Sequence, residues 1–477
     1  MKLPNVAKNT SYFTLALILQ KVISFSFFII IARNIGPESL GKYYFAISFT
    51  TIFVIFIDIG MTSVLVREIA KHKDSAEKYI QNTLALKILL MGLSWLTVFI
   101  LINVMGYPEL TKDLVYLSSV AMILDSFTLT FFGVSRGYHN LKFESIAVVI
   151  YQLTALILGV AALHFNMSLR WLMGAIVVAS IINFLYSGSL VMLKWKIKLI
   201  PKFDATFIKQ IISMSLPFAL FGIFQRMYTY FDSILLSILA GDTYVGLYSV
   251  AFKITFALQF LPLAFVASLY PAMSTYYVHD KKKLGEIFER AMNYLIIIAL
   301  PISFGIIMLA DRIILIFKAE YSGSILPLQI IIASLFFIFT SYPIGSLLNA
   351  CDKQKINSAN MAIVLFFSIV LNMILIPRYQ AVGASITVLV TNFLLLILGM
   401  VWVPTLIKYN YFNILKVLGK ALLAVIIMTI LLLYLKPLMN VFLLIPTGGI
   451  AYFAVLYGLK GFTKEDALSI ARSFIRN

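Results

Sequence analysis

At 477 residues, 61% hydrophobic and 12% charged, with a mean hydropathy of +0.97, the chain lies far outside the composition of a water-soluble globular domain and reads as an all-α polytopic membrane protein. The net charge of +18 does not point to nucleic acid, because the basic residues sit in short loops between apolar stretches. The single cysteine, Cys351, excludes an internal disulfide and reads as a helix-end residue, and four histidines without ligand spacing (His72, His139, His164, His279) leave no metal or cofactor expected.

Stretches of about 20 apolar residues bounded by polar or Gly/Pro punctuation predict about fourteen spans. Six fall near 11–33, 41–66, 79–104, 114–136, 145–165 and 170–193. The first is too long for a signal peptide and carries Gln20 and Lys21 at its middle, so it is expected to stay as a helix. A basic linker from Lys194 to Lys209 follows, then six more spans near 208–239, 244–275, 285–309, 324–350, 356–376 and 381–403. A last pair lies near 412–435 and 440–460, and residues 464–477 read as a short surface helix. Lys and Arg distribute about three to one between alternate sides of these spans, with Arg33, Lys42, Lys112, Arg170, Arg312, Lys318, Arg378 and Lys436 on the poorer side. That bias predicts both termini in the cytoplasm and the cytoplasmic membrane as the location.

Four cations, Lys21, Lys87, Arg226 and Lys253, fall inside spans, where charge is costly unless it faces protein or water. A shift of 205 residues places Gln20-Lys21 on Gln225-Arg226, and Gly36, Gly41, Tyr43 and Ala46 on Gly241, Gly246, Tyr248 and Ala251. Six spans per copy keep both copies in one orientation. The expectation is therefore two six-helix lobes, 1–200 and 201–408, related by a pseudo-two-fold axis along the membrane normal, plus helices 13–14 and a tail in 409–477, with the substrate site between the lobes. Charged loops after the second span of each copy, and polar turns after the fourth (Arg136–Asn140, Asn349–Lys353), extend the match.

Three stretches carry a family resemblance: Ala32–Tyr44, Asp58–Glu68, and Asp232 through Gly241–Tyr248 to Lys253. They resemble the polysaccharide-transporter, or lipid-linked oligosaccharide flippase, branch of the multidrug/oligosaccharidyl-lipid/polysaccharide exporter superfamily. The resemblance implies a basic residue two positions before Asp232, where this chain has Tyr230. Similarity to peptidoglycan-precursor flippases is weaker, since their first-span Arg-Asp pair corresponds at best to Lys21-Val22.

What the resemblance implies is a flippase, not an enzyme, that carries a polyprenyl-diphosphate-linked oligosaccharide across the membrane by alternating access. The coupling ion is H+ or Na+, the partners are membrane lipids and glycan polymerases, and a monomer suffices. On that reading Lys21, Arg226 and Lys253, with Gln20 and Gln225, form a cationic cleft for the diphosphate. Asp232 pairs with Lys253 or couples an ion, while Tyr43, Tyr44, Tyr228, Tyr230 and Tyr248 offer ring faces to sugars. Asp58 reads as structural and Lys87 as a residue that snorkels inward. Prolines 217, 262, 271, 301 and 343 mark candidate hinges. Two other readings are open: a drug/cation antiporter, which would call for an acidic cleft, and a membrane glycosyltransferase or polymerase, which would need a sizeable outer loop.

Overall fold

The computed structural model of the chain describes residues 6–461, so the expected tail helix and Pro217's side chain lie outside what is described. The chain divides into two compact units, Met1–Ser237 and Ile238–Asn477. The boundary falls inside a helix, well beyond the start of the second sequence copy, because most of that helix packs with the first unit.

The first unit holds α1 (Val6–Asp58), α2 (Met61–Lys71), α3 (Ala76–Val104), α4 (Glu109–Gly137), α5 (Lys142–His164), α6 (Leu169–Leu193) and most of α7 (Ala205–Ala240). α1 contains two spans joined at Gly36, whose φ of 70° and ψ of 169° favour glycine, and Pro37 then starts the second leg. The expected second span, 41–66, is interrupted. Its helix ends at Asp58, Ile59 (φ 37°) and Gly60 (φ 79°) take left-handed conformations, and α2 restarts at Met61. The core joins α2, α3, α4 and α7 through Leu65, Ile80, Phe131 and Ile208. The linker at 194–204 is stitched to the start of α3: Gln81 Nε2 donates to the Lys198 carbonyl at 3.2 Å and Asn82 Oδ1 accepts from the Asp204 amide at 2.8 Å. Asp204 in turn caps α7 by accepting from the Phe207 amide at 3.1 Å, which with Lys78 beside it holds its carboxyl below the usual range.

The second unit holds the end of α7, α8 (Asp242–Leu258), α9 (Phe260–His279), α10 (Lys281–Leu315), α11 (Ile325–Ala333), α12 (Leu335–Ala350), α13 (Gln354–Leu406), α14 (Tyr411–Leu435) and α15 (Val441–Gly458). The eighth span breaks at Gln259 and the tenth at Ser334, whereas α13 carries two spans across Gln380 (φ 48°). Helices run on through Pro271, Pro301 and Pro343, and Pro262 sits in the first turn of α9, where a missing N–H costs little. The break at Gln259 thus lies one turn before Pro262, where a proline removes the i−4 hydrogen bond, while the other breaks lie away from the expected proline hinges. The last two helices pack on α10 through Val425, Leu432, Leu444 and Leu456, and Tyr452 Oη donates to the Ile297 carbonyl at 3.0 Å.

Among the described residues, eleven helical stretches are long and apolar enough to cross a membrane, two of them (47 and 53 residues) containing two legs each. With α7 they supply the fourteen crossings expected, and the protein is a multi-pass, all-helical membrane protein. Large side chains such as Leu93, Ile157, Ile430 and Tyr434 are exposed on the outer faces, as lipid contact requires.

Some positions that the two sequence copies match share backbone geometry. Gly241 (φ 98°, ψ 167°) repeats the conformation of Gly36. After α4, the Asn140 amide donates to the Ser135 carbonyl and the His139 amide to that of Arg136, with His139 at φ 56°. After α12 the same turn forms: Lys353 to Leu348, Asp352 to Asn349, with Asp352 at φ 57°. Both are six-to-one helix terminations with a left-handed residue before the last donor. Cys351 is the buried C-cap of α12, the helix-end position expected for it.

Candidate functional site

The expected site residues of the first unit lie on two helices. On α1, Lys21 is exposed at mid-span together with Leu15, Ile18, Leu19 and Val22, Gln20 is half-buried, and apart from Ala16 the described side chains before Phe27 are not buried. A cation at that depth is costly in hydrocarbon unless protein or water meets it. Farther along α1, Tyr44 is half-buried and makes edge contacts with Phe28 and with Tyr43, which is 1% exposed and part of the core.

On α7 the charged cluster divides by helical periodicity. Arg226 and Tyr230 are four residues apart and share one face, both half-buried. Gln225, Tyr228 and Asp232 share another face, with Gln225 exposed, Tyr228 half-buried and Asp232 only 3% exposed. In the second unit, Lys253 is half-buried on α8, and Tyr248 is 1% exposed and stacked on Phe252.

Lys87 is the residue whose position departs most from expectation. It does not snorkel: its side chain is 0% exposed, and its ammonium lies 2.9 Å from Asp58 Oδ1. It also donates to the Ser126 carbonyl (2.7 Å), Ser126 Oγ (3.0 Å) and Thr130 Oγ1 (2.6 Å). Asp58 accepts from Thr62 Oγ1 at 2.6 Å, one turn beyond the break at Ile59–Gly60. One ammonium thus ties the end of α1 and the start of α2 to α3 and α4. Asp58 is structural as expected, but through Lys87, and not through the Arg67 and Glu68 that follow it. Those two pair with each other at 2.8 Å, and although burial opposes ionisation of Glu68, Arg67 and Lys71 hold its carboxyl below the usual range.

Other pairs fasten helix ends. Arg136 forks onto Glu144 between α4 and α5, and Arg170 meets Asp113 at 2.6 Å between α6 and α4. Lys436 meets Asp311 at 2.7 Å between α14 and α10. In the first unit Lys87 is fully buried among its partners, whereas Lys21 is exposed and Arg226 half-buried.

Comparison with known proteins gives this arrangement its context. The model of the family described as polysaccharide biosynthesis protein matches residues 6–277, more than half of the chain. The chain belongs to this polysaccharide biosynthesis protein family. A second model, MatE, matches residues 217–377 and places the family member in the wider exporter superfamily. Its relatives include the capsular polysaccharide biosynthesis protein CapF of Staphylococcus aureus, 25% identical over 82% of this chain and 98% of that one. A putative O-antigen transporter of Shigella flexneri is 22% identical over 75% of this chain and 88% of that one. Among solved structures, the fold of the family member is similar to a lipid II flippase, MurJ, in an inward closed conformation. That match has a TM-score of 0.78 at 15% identity and covers 93% of this chain and 97% of that one. An inward-facing multidrug resistance transporter of the MATE family matches with a TM-score of 0.65 at 15% identity, over 82% of this chain and 94% of that one. The fold is thus shared with peptidoglycan-precursor flippases even though their first-span pair is matched only by Lys21-Val22.

Proposed function

We propose that this chain is a flippase that moves a polyprenyl-diphosphate-linked oligosaccharide across the cytoplasmic membrane by alternating access. The observation that carries the reading is that Lys21 and Arg226 have solvent-accessible side chains at mid-span in a member of a polysaccharide biosynthesis family. A diphosphate is the headgroup such cations suit, with Arg226 as a planar fork, Lys21 as a point charge, and Gln20 and Gln225 as neutral donors. Lys253 extends the cationic set in the second unit. Tyr44, Tyr228 and Tyr230 have accessible ring area for sugar faces, whereas Tyr43 and Tyr248 would have to be uncovered during the transport cycle to join them. The lysine-and-arginine-rich side is proposed as cytoplasmic, with both termini there, and the monomer as the working unit, meeting glycan polymerases at the outer face.

The test is transport in proteoliposomes. A labelled polyprenyl-diphosphate oligosaccharide should cross, and an amphipathic cation should not. Extrusion of the cation without movement of the lipid would replace this reading with a drug antiporter, the second reading, which the MatE match over residues 217–377 favours.

We further propose Asp232, 3% exposed, as the group through which H+ or Na+ couples to transport. Asp232→Asn is expected to flatten the dependence of transport on pH or sodium while leaving the melting temperature of the detergent-solubilised protein in place. An unaltered ion dependence in that variant would leave Asp232 a structural residue.

A further inference from the structure

A cavity of about 390 Å³ opens within the second unit where α10, α14 and the end of α15 meet. Arg290, Lys416, Lys420 and Lys460 line it, with Glu289 and Asn293. None of the four cations makes an ion pair among the described residues. Glu289, the one carboxylate in the lining, is already engaged by the Asn410 amide at 3.2 Å and by Asn413 Nδ2. Lys416 and Lys420, one turn apart on α14, repel each other, and Lys420 finds only the Lys460 carbonyl, at 2.7 Å. That carbonyl is presented by the left-handed turn that ends α15. The buried Oδ1 of Asn293 has no partner in the protein and awaits a donor. The cavity is therefore built for a group that brings negative charge together with a hydroxyl or amine.

The surface leading away from the cavity is apolar. At 100° per residue, Leu423, Ile427, Ile430 and Tyr434 continue the α14 face that carries Lys416 and Lys420, and all four are exposed. The buried residues of α14, among them Ala421, Val425, Met428 and Leu432, lie on the opposite side. A cationic cup at a helix end followed by an exposed apolar lane has the shape of an amphiphile with an anionic head. The local backbone holds the cup in place: Gly285 on α10 lies against the Lys408 carbonyl, where a Cβ would collide, so the 407–410 linker sits directly on α10 and fixes the start of α14.

We propose that this cavity is a binding site for the phosphate headgroup of an anionic glycerophospholipid, with its chains along the apolar lane of α14. The glycerophospholipid is favoured as the source because the cup belongs to the lysine-and-arginine-rich side of the spans, where the leaflet supplies anionic lipid at high local concentration. The site is independent of the transported substrate, so its failure leaves the flippase reading untouched and transport of the labelled lipid is scored separately.

The test uses the full chain in detergent, titrated with phosphatidylglycerol, phosphatidylcholine, inorganic phosphate or polyprenyl phosphate and read by native mass spectrometry. One phosphatidylglycerol should bind in preference to phosphatidylcholine. Arg290→Gln combined with Lys416→Gln should weaken it roughly thirtyfold. Lys416→Gln alone, at an exposed position that the fold tolerates, should lose part of that affinity if the double variant does not fold. Equal binding of phosphatidylcholine, or unchanged affinity in both variants, overturns the proposal. So does displacement of phosphatidylglycerol by inorganic phosphate, which would mark a free-anion site, or by polyprenyl phosphate at equal concentration, which would mark a carrier-lipid site.

Discussion

Arg226→Ala and Lys21→Ala are each expected to abolish movement of a polyprenyl-diphosphate oligosaccharide in proteoliposomes while the protein stays folded. Lys21 is exposed and Arg226 half-buried, so neither side chain anchors the core as Lys87 does. Removing one partner of a desolvated charge pair costs about 2–5 kcal/mol, which is roughly thirtyfold to more than a thousandfold in a rate that depends on capturing the diphosphate. Arg226→Lys keeps the charge but loses the fork, and should retain a fraction of the rate. Full transport by both alanine variants at matched protein levels would mean that the headgroup is held elsewhere.

Lys87→Met should have the opposite signature: a large loss of stability. The substitution strands Asp58 beside Ser126 and Thr130 with only Thr62 to donate to it, and breaking a buried pair in this way costs about 3–5 kcal/mol. Asp58 is 22% exposed, and that access to solvent places the expected cost toward the lower end of the range. Adding Asp58→Asn removes the stranded charge, so the double variant should melt well above Lys87→Met. The measurement is the thermal transition of each variant in detergent, followed by size-exclusion chromatography. A Lys87→Met protein as stable as the wild type, or one not rescued by Asp58→Asn, would show that the pair contributes little.

These two residues also mark how far the sequence could be read. Lys21, Lys87 and Arg226 look alike in the sequence, each a lone cation in an apolar stretch. Lys87 differs because of Asp58, Ser126 and Thr130, whose partnership depends on where α4 packs, and serines and threonines are too common in membrane helices to announce it. The repeat was legible because the two copies keep glycine at matching turns. Gly36 and Gly241 occupy a conformation that other residues avoid, and a one-residue shift in the alignment would have lost both. The interruption at Ile59–Gly60 was not legible, since hydropathy averages the apolar run that ends at Ile57 with the Val64–Val66 run that follows. The separation of Arg226 from Asp232 followed from helical phase alone, yet the burial of Asp232 required the packed structure. The cationic cup shows the same limit, because Arg290, Lys416 and Lys460 are remote in sequence and nothing there brings them together.

The single-residue joints inside α1 and α13 constrain how the chain enters the bilayer during synthesis. One residue reaches about 3.5 Å, against a hydrocarbon core about 30 Å thick. If the leg after Gly36 failed to insert, no slack would exist for the leg before it to cross alone. The two legs of each 53-residue helix are therefore expected to insert as a pair. A topology reporter placed at Gly36 or Gln380 would break the hairpin it was meant to map, whereas the 194–204 linker has the length to carry one.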